Sequence, residues 1–326
     1  MSGPTARAEL IEDGGEAAAG DDFFRSRPFL QAEAATHTLR IEGDGVELLA
    51  PLLVRPIGDG PARDAISPYG YPGLTSGRTR VFSRIATENA SSAEGVLDPG
   101  TIDFSATGLV SVFLRHRLDA VPLRGASQRN VVQVADPALA PKSRPSDRRQ
   151  VRRNLDAGYE LALVPGGETT AGQRAGFLDL YEQTMRRAAA DAHYFFGAAY
   201  FDRVLEAERT WLALALSPRG ELAAASIAAV SDGYLHYYLS GSADSHLRDS
   251  PMKNVLARLV EHSAALALPL NLGGGITPGD ALEEFKRGFA NREQPWQTSE
   301  LICDPERYEL LAAGRDPDSF FPAYRG

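Results

Sequence analysis

Cysteine is almost absent from this sequence: Cys303 is the only one among 326 residues. No intrachain disulfide can form and no zinc site of the multi-cysteine kind can be built, so a reducing interior is the expected compartment. No uninterrupted apolar run reaches the roughly 18 residues that a membrane-spanning helix requires. The opening 22 residues carry Glu9, Glu12, Asp13 and Glu16 where a secretory leader is basic and then apolar. A cytoplasmic protein without a membrane span is therefore expected. No His-x-x-x-His pair, no carboxylate cluster at metal-ligand spacing and no Gly-x-Ser-x-Gly before a helix is present, so metal and serine-hydrolase chemistry lack support, and neither a metal nor a cofactor is expected.

What is present is a globular composition, 43% hydrophobic and 24% charged, in a chain long enough for about two domains. The net charge of −9 argues against nucleic acid coating the whole surface, but the charge is unevenly spread. Lys142, Arg144, Arg148, Arg149, Arg152 and Arg153 stand against Asp147 alone, making this stretch +5 and the remainder −14.

Residues 1 to about 20 mix Gly, Ala and acidic residues and read as a solvated tail. Runs at Thr36 to Ile41 and Val46 to Ile57, divided by Gly43-Asp44-Gly45, predict a hairpin. Leu109 to Leu114 and Asn130 to Val134 are β-rich, and Thr79 to Ala93 has a helical pattern. Pro137, Pro141 and Pro145 punctuate a stretch without an apolar face, which places a domain boundary between residues 1–145 and 146–326. Beyond it, Ser146 can cap a helix through Val151 and Leu155 to Gly158, followed by a strand at Tyr159 to Val164. Helical spacing recurs at Phe177 to Met185 and Tyr200 to Leu205. Strands at Trp211 to Leu216, Leu222 to Val230 and Tyr234 to Leu239 then form a meander through Pro218-Arg219-Gly220 and Ser231-Asp232-Gly233. A helix from Met252 to about Ala267, a strand at Leu268 to Leu272, a helix with Leu282, Phe285 and Phe289 on its apolar side, and a last strand complete the pattern.

This element order matches the GNAT acyltransferase domain with a leading helix added, an analogy of fold rather than function. Particular residues carry a second likeness. Ser67-Pro68-Tyr69-Gly70-Tyr71-Pro72-Gly73, the Arg148-Arg149-Gln150-Val151-Arg152-Arg153 helix, Tyr194-Phe195-Phe196 with Tyr200-Phe201, and Asn271-Leu272-Gly273-Gly274-Gly275 with Phe285-Lys286-Arg287-Gly288-Phe289 resemble the Fem family of non-ribosomal peptidyltransferases, over roughly residues 60 to 295. The resemblance implies an α/β (α+β) fold of two tandem GNAT-like domains, each a mixed sheet flanked by helices. It places the acceptor between them and lets residues from about 300 pack back on the first. It implies aminoacyl-tRNA as co-substrate, with amide formation on a primary amine of a peptidoglycan precursor or of a peptide-like or amino-sugar natural product. It also puts Lys286, beside Phe285, at the reacting centre. The paired-helix arm of some members has no counterpart here, since no heptad run is long enough.

The residues themselves leave alternatives at each position. Arg148, Arg149, Arg152 and Arg153 offer guanidinium forks for phosphate, or a solvated helix face. Lys286 projects beside an apolar stripe and is suited to hold a tetrahedral oxyanion, or is a surface lysine. Tyr69 and Tyr71 sit in a Pro/Gly-fixed turn that either contacts substrate or is only a turn, and Tyr194 is a further substrate-binding candidate. On the Tyr234 to Leu239 strand, alternation sends Tyr237 to one face and His236 and Tyr238 to the other, one face is expected to line the cleft, and Tyr237 and Tyr238 are substrate-binding candidates. His236 is either a proton acceptor or a structural group. Asn271-Leu272-Gly273-Gly274-Gly275 lacks the Gly-Lys-Ser/Thr of a phosphate loop and reads as a tight strand exit. Two other functions stay open. One is a CoA-dependent N-acetyltransferase, although Arg248-Asp249-Ser250-Pro251-Met252-Lys253 replaces the glycine-rich turn that usually cradles pyrophosphate. The other is a catalytically silent binding module.

Overall fold

A computed structural model describes residues 4–43, 45–76, 97–121, 123–316 and 320–326. The helical pattern at Thr79 to Ala93 lies outside the described residues. The chain divides into two compact units that interleave along the sequence: Met1–Gly20, Glu33–Arg129 and Pro295–Gly326 form the first, Asp21–Ala32 and Asn130–Gln294 the second. The units differ from the expected 1–145 and 146–326 in that residues 21–32 and 130–145 join the second, and residues 295–326, of which those from about 300 were expected to return, join the first. Among the described residues, no helix is long and apolar enough to cross a membrane, and no group of three or more His, Cys, Asp or Glu could hold a metal ion.

In the first unit, His37–Gly43 and Val46–Pro56 form the expected antiparallel hairpin, with Gly43 opposite Val46. Its outer partner corrects the solvated-tail reading, since Ala6–Ile11 is a strand paired from Ala6↔Gly43 to Ile11↔Thr38. The alternation exists in the sequence, but Ala6 and Ala8 carry so little apolar area that it is faint. Arg63–Ile66 pairs antiparallel with Val46–Pro56 and parallel with Leu109–Arg115, which makes the sheet mixed. Thr298 to Ile302 of the Arg292–Ile302 strand pair with Leu109–Arg115 on its other side, and the helix Pro305–Ala312 follows. Leu39, Ile41, Leu48, Leu52, Val112 and Leu114 fill the core.

The final residues are held there by charge. Asp64 has no exposure, and its carboxylate receives Arg55 Nε at 3.0 Å and Arg325 Nε at 2.6 Å, while Arg325 also donates to Pro56 O at 2.7 Å. Removing one partner of a buried carboxylate leaves charge undercompensated. Arg325→Ala is expected to cost roughly 2 kcal/mol, read as a lower urea midpoint at unchanged slope.

The second unit holds strands in the order Ser127–Ala135, Leu270–Gly273, Tyr234–Ser242, Leu222–Ser231, Thr210–Leu216 and Glu160–Pro165. Only the contact of Leu270–Gly273 with Tyr234–Ser242 is parallel. The meander turns as expected: Asp232 and Gly233 both take positive φ, 50° and 79°, the pair of left-handed residues that a two-residue hairpin demands. Helix Met252–Leu266 covers one face through Val255, Leu256 and Leu259. Helix Ala171–Arg187, opened by a reciprocal Thr170–Gln173 capping box, buries Phe177, Leu180 and Tyr181. Phe23, Phe24 and Phe29, far away in sequence, surround the Tyr238 ring with centroids 5.3 to 6.2 Å away, which is why residues 21–32 belong to this unit.

Candidate active site

The sheet of the second unit parts at one place. Tyr234–Ser242 and Leu270–Gly273 pair for only two positions, Leu235↔Leu270 and His236↔Asn271, and beyond them each strand pairs only with its other neighbour. Opposite this divergence a register shift between Ile227 and Ala228 leaves Tyr238 as the additional residue of a bulge, a device that re-aims a strand near sites. Divergent parallel strands expose main chain in a crevice, the usual place for ligands in α/β sheets.

His236 pins the fork. Asn271 Nδ2 donates to His236 Nδ1 at 3.0 Å, and His236 Nε2 donates to Ser231 O at 3.2 Å, which fixes the Nε2–H tautomer. Burial pushes its pKa down to about 4 against the opposing pull of the Ser231 carbonyl and Asp232, so the ring stays neutral. Both nitrogens being committed, His236 is a structural group and not a proton acceptor. Alternation holds: His236 and Tyr238 face the phenylalanines, Tyr237 the helix Met252–Leu266 side. Tyr237 Oη lies 2.6 Å from Ser240 Oγ, and burial pushes its phenol up to about 12. Tyr238 Oη meets Tyr200 Oη at 2.5 Å.

Past Asn271 the chain exits through three glycines, each answered by a side chain. Gly273 N–H donates to Asn271 Oδ1 at 2.8 Å, Lys286 Nζ donates to Gly274 O at 2.6 Å, and Asn130 Nδ2 donates to Gly275 O at 2.9 Å. Asp280 caps the helix Ala281–Arg287, accepting N–H bonds from Ile276, Thr277 and Glu283 that hold its carboxyl below the usual range. That cap fixes the helix on which Lys286 stands.

Lys286 is 8% exposed, and burial pushes its pKa down to about 8, with Asp280 opposing. It is a positioned ammonium close to its balance point, not a surface lysine. The expected apolar stripe needs correction: Leu282 is exposed, while Glu283 and Lys286 are buried on its helix. Phe285 packs with Phe289, centroids 6.0 Å apart, against the core and so serves packing. Gly273 has φ +75°, and a methyl there would lie 3.1 Å from Lys286 Nζ. Gly273→Ala is expected to cost about 1–2 kcal/mol for the left-handed backbone and to move the Lys286 titration midpoint, followed by NMR of the lysine side chain.

The arginine helix runs Pro145–Asp156 with Arg144 as its cap residue, two residues before the expected Ser146 cap. Its beginning is joined to the lysine helix: Arg144 N–H donates to Gly288 O at 3.3 Å and its guanidinium pairs with Glu284. Asp147 is buried 2.8 Å from Lys253 Nζ. An amide relay anchors the far end, Asn154 Nδ2 to Asn254 Oδ1 at 2.7 Å and Asn254 Nδ2 to Val151 O at 3.0 Å. Arg148 and Arg152 form one exposed i,i+4 pair and Arg149 and Arg153 another. Arg153 lines a pocket of about 500 Å³ with Arg219, Arg248, Tyr159 and His246, whereas Arg148 and Arg152 line a second of about 630 Å³. Tyr194 belongs to a short 3₁₀ turn, its carbonyl accepting from Tyr181 Oη at 2.8 Å.

Tyr69 and Tyr71 lie in the first unit. Glu33 receives the Tyr69 N–H at 2.7 Å, and the Tyr71 ring stands edge-on to Trp296 at 5.4 Å. Sequence reading did not single out Asn130 or Asp280. Asp280 carried a usable sign, an acid three residues before Glu283 at a helix start; Asn130 carried none.

Residues 141–287 match the family model described as an acetyltransferase (GNAT) domain. No curated protein sequence matches the chain. Among solved structures, FemX superposes with a TM-score of 0.58 at 11% identity, over 93% of this chain and 99% of its own. The C-terminal domain (DUF2156) of a putative lysylphosphatidylglycerol synthetase from Agrobacterium fabrum gives 0.53 at 12%, over 90% and 92%. L-PGS from Bacillus licheniformis gives 0.50 at 12%, over 80% and 82%. Such low identities establish a shared fold. With the matched domain they give the class, an acyltransferase of the GNAT fold.

Proposed function

We propose that this chain transfers an aminoacyl group from aminoacyl-tRNA to a primary amine, forming an amide. The observation that carries the reading is Lys286, buried at the mouth of the diverging strands with its ammonium on Gly274 O. The neutral amine attacks the ester carbonyl, and the new C–N bond places negative charge on the carbonyl oxygen. Lys286 has three N–H donors, of which one is used by Gly274 O, and another is available in kind to hold that oxyanion. Collapse breaks the C–O bond to the tRNA ribose, and the proton lost by the amine ends on the departing hydroxyl.

The Fem-like residues, the fold shared with FemX and the lysylphosphatidylglycerol synthetases, and the exposed Arg149 and Arg153 support an RNA-borne donor. The description of the matched domain favours a second reading, acetyl transfer from CoA. Against it, the start of helix Met252–Leu266 follows Pro251, which has no N–H, and Lys253 and Asn254 spend theirs on Ser250 O and Pro251 O, both at 3.0 Å. Few donors remain for a pyrophosphate there.

Incubating the full chain with a radiolabelled charged tRNA pool and candidate amines separates the two. Label should reach the amine without acetyl-CoA and should cease when ribonuclease is added first. Transfer that survives ribonuclease, or that is obtained only from labelled acetyl-CoA, overturns the proposal.

A further inference from the structure

The larger pocket of the second unit has a different character from the catalytic fork. Its floor is apolar, formed by Leu139, Val151, Leu155, Val260 and Phe289. Leu139 and Leu155 are each 46% exposed and both line a cavity of about 630 Å³. That volume falls in the range of small-molecule sites, roughly 300–1,000 Å³. Exposed leucines lining a concavity are costly to leave in water unless something covers them.

The rim has a sign. Lys142, Arg148 and Arg152 all border the pocket and all are exposed. Arg148 is held across its edge by donating to Ser143 O and, at 3.1 Å, to Ser143 Oγ. Two acids also line it. Asp136 is occupied by Arg292 Nε at 3.3 Å and by the Ala138 N–H at 3.0 Å, and Asp156 lies 3.8 Å from Arg152 with both side chains largely in solvent. The three cations therefore exceed the anions left to oppose them.

We propose that this pocket binds an anionic amphiphile, an apolar chain carrying a phosphate monoester head. The chain lies against Leu139, Leu155 and Val260, and the head is gripped by Arg148, Arg152 and Lys142. Two guanidinium forks one helical turn apart, with an ammonium beside them, suit a dianionic head better than a single negative charge. The occupant is a free monomer whose chain enters the pocket, rather than a membrane surface. The site is distinct from Lys286 and does not depend on the donor being tRNA.

Calorimetric titration of the full chain with dodecyl phosphate, kept below its micelle-forming concentration, tests this. Butyl phosphate supplies the head without the chain, and dodecyltrimethylammonium the chain with the opposite head. One dodecyl phosphate should bind per chain, at least about tenfold more tightly than either control. Ala264→Trp, on an exposed helix position lining the pocket, should weaken it about tenfold while the melting curve shows the chain still folded. Arg148→Gln with Arg152→Gln should abolish the preference for the phosphate head over the ammonium. Equal binding of butyl phosphate, several ligands per chain, or indifference to Ala264→Trp would overturn the proposal. So would binding to phosphatidic acid vesicles that persists in Ala264→Trp, which would assign the basic rim to a membrane surface instead.

Discussion

Lys286→Met is expected to lower aminoacyl transfer by about 100- to 1,000-fold, the usual loss when one oxyanion donor is removed. Methionine fills similar volume without the charge, so the fold should survive, and the affinity for charged tRNA should change little because the loss falls on the transition state. Stability should move the other way. The folded chain releases the Lys286 proton near pH 8, whereas an unfolded lysine does so near 10.5. Between those values the unfolded chain holds more protons, so the lysine's contribution to stability rises with pH from about 8 to 10.5 and is least favourable below 8. The methionine variant should therefore lose that rise, and at pH 7 relief of the buried charge, on the order of 3 kcal/mol, should exceed the cost of about 1–3 kcal/mol for the donor that Gly274 O loses, read from urea unfolding at several pH values. A gain in stability joined to a loss of turnover is the signature of a group kept for chemistry. Wild-type transfer should correspondingly decline as pH passes upward through about 8, where the ammonium is lost.

Gly241→Ala is expected to be the most damaging of the single-methyl changes to the second unit. A Cβ on Gly241 would lie 2.4 Å from Leu180 C and 2.5 Å from Leu180 O and Tyr181 N. These are main-chain atoms of helix Ala171–Arg187, fixed by its own hydrogen bonds, and Ser242 N–H beside the glycine donates to Thr184 Oγ1 at 3.0 Å. Neither side can yield by rotating a side chain, so the helix must lift from the sheet and lose the packing of Phe177 and Tyr181. A cost of about 3 kcal/mol or more is expected. Gly167→Ala, whose Cβ would meet nothing within 4 Å, should stay within about 0.5 kcal/mol of wild type. Chemical denaturation of both variants distinguishes a steric cause from a general effect of replacing glycine.

Much of the second unit was legible because local chemistry and tertiary structure agree there. Asp232-Gly233 supplies the two left-handed residues its hairpin needs, and the alternation of His236, Tyr237 and Tyr238 survives the bulge beside them. Lys286 could be singled out by its place in a likeness, but its burial could not, since it depends on the glycine exit folding back onto the helix that Asp280 caps and on Asn130, remote in sequence, holding that exit. The faint elements were those whose partners are remote. Phe23, Phe24 and Phe29 follow an acidic, glycine-rich stretch and find their place only around Tyr238. Asn154 and Asn254 are ordinary polar residues until their amides meet at 2.7 Å. Four arginines in six positions look like one patch; helical geometry divides them, and the neighbouring segments decide that Arg153 borders one pocket and Arg148 and Arg152 another.

The central claim is that the Lys286 ammonium is buried at the strand fork and meets the transferred acyl group. The chain has three lysines, Lys142, Lys253 and Lys286, so side-chain NMR signals can be assigned by single replacement. Titration of the Lys286 signal, alone and with a non-hydrolysable aminoacyl-tRNA mimic, is the most direct test. A midpoint near 8 that shifts upward when the mimic is bound is the expected result. A midpoint at the ordinary lysine value, unmoved by the mimic, would contradict it.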